Sequence, residues 1–153
     1  VLRTWEHGRP AIMVGGGTGL APLSSMVKHA LLNHAYDGHI TLYVGGRTKA
    51  DLYDVDLFRS LEREAPDQFS YQPCISDEEA TGGYRRGLVT QVLEEDFDRL
   101  TGYQGYMSGP PAMVDSCLKS FMSRRLFPRD IFGEDFFNEG DKQKGLSSPL
   151  IKR

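Results

Sequence analysis

The chain has 153 residues, 39% hydrophobic and 25% charged, with a formal net charge of -3. That length and composition suit one globular domain around one core. The weak negative charge offers no general attraction to nucleic acid or an anionic membrane, and no apolar run approaches the ~20 residues a membrane helix needs.

The predicted elements alternate between strand and helix. Residues 11–14 are a short apolar run closed by glycines, as a buried parallel strand requires. Leu20, Leu23, Val27, Ala30 and Leu31 recur at helical spacing, and Pro22 falls in the first turn, where a missing N–H costs nothing. Residues 40–44 form a second buried strand ending at Gly45 and Gly46, and Leu52, Val55, Phe58 and Leu61 suggest a second helix. Residues 69–75 alternate, and Pro73 predicts that this third strand lies at a sheet edge. Val89, Val92, Leu93 and Phe97 mark a short helix, and residues 105–107 a fourth strand. Pro110 and Pro111 open a helix whose apolar face is Val114, Cys117, Leu118, Phe121 and Met122. Residues 130–132 are a fifth strand. The expected fold is therefore a doubly wound α/β domain: a five-stranded parallel sheet of order 3-2-1-4-5 with helices on both faces. Residues 11–137 form the domain. Residues 1–10 are a linker or the end of a neighbouring domain, and the polar, aperiodic residues 138–153 are a flexible tail.

The N-terminal residues carry no apolar signal segment, and a first residue other than methionine is expected of a fragment of a longer polypeptide. Cys74 and Cys117 are too few and too far apart for an iron–sulfur cluster or a metal site, so two buried thiols in a reducing cytosol are expected. His7, His29, His34 and His39 show no ligand pattern, and His29 and His34 are expected at the surface. No Ser-His-Asp set suggests hydrolysis.

The most informative segment is Gly15-Gly16-Gly17-Thr18-Gly19-Leu20-Ala21-Pro22, between a strand and a helix. Bare glycine backbone lets a phosphate approach the amides, and a helix N-terminus presents unpaired N–H groups to it. Leu20 replaces the third glycine of a Rossmann fingerprint, and no Gly-Lys-Ser/Thr follows, so the segment is neither that motif nor a P-loop.

This loop, Gly45-Gly46-Arg47 with Asp51-Leu52-Tyr53, Ser108-Gly109-Pro110-Pro111 with Met113, and residues 131–137 occur together in one order. The set resembles the ferredoxin–NADP reductase superfamily. Residues 125–132 are most similar to the reductase components of bacterial diiron monooxygenases, such as phenol hydroxylase reductase. The resemblance implies an NAD(P)H-binding domain whose FAD and [2Fe–2S] groups sit in modules absent from this chain. Its expected partners are a flavin-binding domain, a ferredoxin-type domain and an oxygenase component, in the cytoplasm. By itself the chain is expected to bind the cofactor without completing the reaction. Two other readings stay open: a reductase with a haem or free-flavin acceptor, and a non-catalytic NADH sensor.

The resemblance also implies site residues. Gly16, Gly17, Thr18 and Gly19, with Pro22, would hold the pyrophosphate. Arg47 would meet a phosphate or ribose, or be a solvated arginine. Ser76 and Asp77 stand where NADP-specific relatives carry a Ser-Arg pair, and a carboxylate there favours a ribose diol; NADH is expected over NADPH. Glu78 and Glu79 extend the acidic run or are solvated. Tyr84 would stack on adenine or pack. Gly109, Pro110 and Met113 belong to the segment by the nicotinamide, with Ser108 either beside the nicotinamide C4 carbon or capping the helix that follows. Glu134 and Phe136 would lie over the flavin edge and ring, with Phe136 or Phe137 alternatively packing against the missing domain.

Overall fold

The computed structural model describes residues 9–16, 20–32 and 38–135, with the backbone alone at 134 and 135. Strand β1 (Ala11–Gly16) is buried along its whole length, because helices cover both faces of the sheet at its centre. Its alternate residues divide between two cores. Ala11 and Met13 join the packing of α1 (Leu20–Leu32) and α2 (Val55–Glu64), while Ile12 and Val14 join that of α3 (Val89–Asp96) and α4 (Pro111–Ser123).

The other strands are β2 (Ile40–Gly46), β3 (Phe69–Ile75), β4 (Arg85–Arg86), β5 (Gln104–Gly109) and β6 (Ile131–Asp135). All pair in parallel, in the order β4-β3-β2-β1-β5-β6. The five expected strands keep their expected order, and β4 adds a sixth strand outside β3. Pro73 therefore lies beside the edge strand rather than on it. Only Cys74 and Ile75 pair with β4, so the stretch of β3 around Pro73 keeps the open flank that a residue without an N–H needs.

Strand β4 is two arginines, with no apolar alternation to announce it. Arg85 holds it in place. Its guanidinium grips Asp96 of α3 with two hydrogen bonds of 2.6 and 2.9 Å and reaches Gln72 of β3 at 3.1 Å. Asp96 also accepts the hydroxyl of the buried Tyr43 at 2.6 Å, so β2, β3, β4 and α3 meet at one carboxylate. Burial alone would raise the Asp96 carboxyl, but the hydrogen bonds from Arg85 and Tyr43 outweigh it and hold the group below its ordinary value. Burial, then Asp96, pushes the Tyr43 phenol upward, so it stays a donor.

The chain enters β1 at the amino edge of the sheet. There Arg9 donates to the carbonyls of Gly102 at 3.0 Å and Tyr103 at 2.7 Å and lies 3.4 Å from Asp130. Cys74 and Cys117 are free and buried, and burial pushes both thiols up to about 12, which makes them unreactive packing groups. His29 is exposed, as expected. His7, His34, residues 1–8 and the expected tail from 138 lie outside the described residues. Among the described residues no helix is long and apolar enough to cross a membrane, and no cluster of His, Cys, Asp or Glu could hold a metal.

Asp96→Ala should cost about 1.5–3 kcal/mol in urea denaturation at pH 7, since it strands the buried Tyr43 hydroxyl and leaves Arg85 only Gln72 and Glu95. The folded carboxyl lies below its unfolded value of about 3.9. The gap from wild type should thus be full above pH 5 and close as the pH falls through the folded value.

Candidate functional site

Parallel strands place every strand's carboxyl end, and the N-terminus of every following helix, at one edge of the sheet. The order in which the chain adds strands reverses between β1 and β5, and a crevice opens at that switch point. A cavity of about 410 Å³ lies along this edge on the α3–α4 face, within the ~300–1,000 Å³ of small-molecule sites. Its floor is Gly16, Gly45 and Gly46 at the ends of β1 and β2, and Arg47 and Ser76 form its polar end. Leu88, Val89 and Thr90 at the start of α3 and Pro110, Ala112, Met113 and Ser116 at the start of α4 form its apolar walls.

Neither helix start has a side-chain cap, and neither has an acid in its first turn. Their free N–H groups and positive dipole ends, each equivalent to roughly half a charge, favour an anion there. Arg47 is exposed, and its Nε donates to Asp77 at 2.7 Å. Asp77 also accepts the Ser76 hydroxyl at 2.8 Å. The hydrogen bond from Arg47, then that from Ser76, holds the Asp77 carboxyl below the usual carboxylate range. An ion pair this exposed adds little stability, so its effect is to orient both groups at the rim. Glu78 is engaged too: its carboxylate takes the Lys49 amide at 2.5 Å. The acidic run is thus partly consumed by the protein's own donors.

Met113 explains two of the glycines. A Cβ at Gly16 would lie 2.8 Å from the Met113 sulfur, and a Cβ at Gly109 would collide with the Met113 methyl. The thioether occupies the gap between the ends of β1 and β5, so at Gly16 the bare backbone serves packing. Gly45 does the same for Val89, whose Cγ1 would be 2.7 Å from an added Cβ.

Ser108 is 2% exposed, and its hydroxyl has no hydrogen-bond partner among the described residues. It does not cap α4; Pro110 holds that position. Ladder alternation puts Ser108 on the Tyr106 side of the sheet with α1, across from the cavity and level with Gly15. An orphaned buried hydroxyl costs about 1–3 kcal/mol unless something bound satisfies it. Tyr84 is not part of the cavity wall. It packs against the α1–α2 core, with the Arg59 guanidinium 4.9 Å and the Lys49 ammonium 5.2 Å from its ring centre. Pro22 sits in the first turn of α1, as expected. Glu134 is placed by its backbone alone, paired with Ser108. Gly17, Thr18, Gly19, Phe136 and Phe137 lie outside the described residues.

The sequence profile described as an oxidoreductase NAD-binding domain matches residues 13–119. The chain belongs to that family. Within this NAD-binding domain family, the chain is 41% identical over 131 residues to the aromatic O-demethylase reductase subunit of Amycolatopsis, covering 86% of this chain and 38% of the relative. It is 37% identical over 147 residues to the phenol 2-monooxygenase reductase component DmpP of Pseudomonas, covering 93% and 41%. The crystal structure of the Amycolatopsis cytochrome P450 reductase GcoB superposes with a TM-score of 0.77 at 40% identity, over 88% of this chain and 39% of that one. The chain thus spans about two-fifths of these relatives. The resemblance to ferredoxin–NADP reductases, and to monooxygenase reductase components within them, holds.

Leu88, Val89, Thr90, Ala112 and Ser116 were not expected at the site. Nothing in their local pattern marks them; only the sheet order brings the starts of α3 and α4 together.

Gly16→Ala should destabilise the domain by about 1–3 kcal/mol in urea denaturation, the usual cost of overpacking. Met113→Ala in the same chain should recover part of that loss, giving a non-additive double-mutant cycle.

Proposed function

We propose that the chain is the NADH-binding domain of an FAD-dependent reductase component, which takes electrons from NADH through flavin and a [2Fe–2S] centre to a cytoplasmic oxygenase. The observation that carries the reading is the convergence of two uncapped helix N-termini and the Arg47–Asp77 pair on one cavity at the carboxyl edge. A dinucleotide fits this surroundings: its phosphates need amide donors, its ribose diol an acceptor, and its rings apolar walls. FAD and the iron–sulfur centre would belong to neighbouring flavin-binding and ferredoxin-type domains.

Bound NADH would supply a hydride at its nicotinamide C4 carbon, with flavin as acceptor. The domain's own work is binding and orientation. Gly17, Thr18 and Gly19 would present main-chain and hydroxyl donors to the pyrophosphate. Asp77, kept ionised by Arg47 and Ser76, would accept the ribose hydroxyls. Ser108 would use its free hydroxyl near the nicotinamide, while Gly109 and Pro110 leave room for the ring and Met113 braces them. Glu134 and Phe136 would meet the flavin.

A second reading keeps the NADH domain and changes the acceptor to a haem protein. It draws support from the likeness to a cytochrome P450 reductase at 40% identity. Joining this domain to its flavin and ferredoxin-type modules and offering a P450 or a diiron oxygenase would separate the two.

Calorimetric titration should show NADH binding more tightly than NADPH. Asp77→Ala frees Arg47 for a 2'-phosphate and removes an acceptor for the diol, so the preference should fall by at least about tenfold, the equivalent of one charge-assisted hydrogen bond. Because Asp77 titrates below the usual range near 3.9, its contribution to NADH affinity should be flat from about pH 5 upward. Tighter NADPH binding by the wild type would overturn the NADH assignment.

A further inference from the structure

The outer flank of β3 is closed donor by donor. The Ile40 amide bonds the Gln68 carbonyl, so by alternation the main chain of Ser70, Gln72 and Cys74 faces β2. Phe69, Tyr71, Pro73 and Ile75 face the other way. A row of unpaired N–H groups on such a flank is a template for another strand. Here none is open. The Phe69 amide turns back onto the Ala65 carbonyl at 2.9 Å. The Tyr71 amide donates to Glu62 Oε2 at 3.0 Å. Pro73 has no N–H, and at Ile75 the short strand β4 takes over the edge with two charged residues.

Glu62 is an unexpected residue for its place on α2. It stands four positions after Phe58, so the two share a helix face. Phe58 is fully buried and stacks on the Tyr71 ring with centres 5.1 Å apart. An apolar residue at 62 would extend that contact. The carboxylate reaches past it to the strand's main chain instead. Pro73 is equally unexpected inside a strand, where proline forfeits a ladder hydrogen bond. Both choices make sense at an edge that must not be extended.

We propose that Glu62 and Pro73 close the outer edge of β3 against strand addition by a second copy of this chain. Glu62 consumes the one edge donor that α2 can reach, and Pro73 removes the next. The proposal is independent of the nucleotide reading, because it concerns the main chain of β3 alone.

Hydrogen exchange and sedimentation test it. Glu62→Ala should speed exchange at the Tyr71 amide by at least about tenfold, the equivalent of one charge-assisted hydrogen bond. Wild type and both single variants should sediment as monomers. Glu62→Ala combined with Pro73→Val opens two successive outward donors, so its mass should double from 17.1 kDa at the same concentration, with protection restored at Tyr71. Glu62→Gln combined with Pro73→Val should stay monomeric, because the amide oxygen still accepts the Tyr71 N–H. Its dimerisation would overturn the part given to Glu62. A double Ala–Val variant that melts cooperatively yet stays monomeric would overturn the proposal, and so would a dimer whose Tyr71 amide remains unprotected. If that variant does not fold, the Glu62→Ala exchange decides: a rate at Tyr71 equal to wild type would overturn the proposal.

Discussion

Parallel pairing is the constraint on which the rest of the domain depends. Because all strands run the same way, each following helix begins at the same edge, and unpaired amides collect there. An antiparallel sheet would distribute those helix ends over both edges. The site is thus a consequence of chain direction first and of particular side chains second. The glycines that end β1, β2 and β5 keep that edge low, and Met113 and Val89 settle into the room they leave.

The cost of exposing so many unpaired groups at one edge is offset away from the cavity. The carboxylate of Asp96 joins β2, β3, β4 and α3, tying down the flank of the sheet next to Arg47 and Asp77. On the other side of β1, Tyr106 and Phe132 stack at 5.2 Å between β5 and β6, which orders the strand that leads toward Phe136. At the opposite edge, Arg9 pins the incoming chain to the start of β5. The polar clamps thus hold the frame, and the polar groups near the cavity are left for a ligand. The orphaned Ser108 hydroxyl lies across the sheet from the cavity, on the α1 face.

The family membership and the geometry support one reading. The profile match concerns residues 13–119, while the cavity, the helix starts and the Arg47–Asp77 pair are features of the fold. The profile describes an NAD-binding domain, and the cavity's polar end and apolar walls suit a nucleotide. The relatives named for phenol and for aromatic O-demethylase systems share this domain at 37% and 41% identity.

Local pattern alone determined the strand–helix alternation, the order of the five main strands and the glycine loop, because buried strands and amphipathic helices write their periodicity into consecutive residues. The family resemblance, and not local pattern, marked Arg47, Ser76, Asp77 and Pro110, which lie just past the ends of β2, β3 and β5. Tertiary structure decided the remainder. Strand β4 exists because Arg85 meets Asp96, a contact between residues with no shared pattern. Asp77 is tied to Arg47 across thirty positions of sequence. Leu88 and Tyr84 are near neighbours in the chain, yet the turn into α3 sends one to the cavity and the other to the opposite face, a division that depends on how the sheet and its helices pack and not on either residue's type.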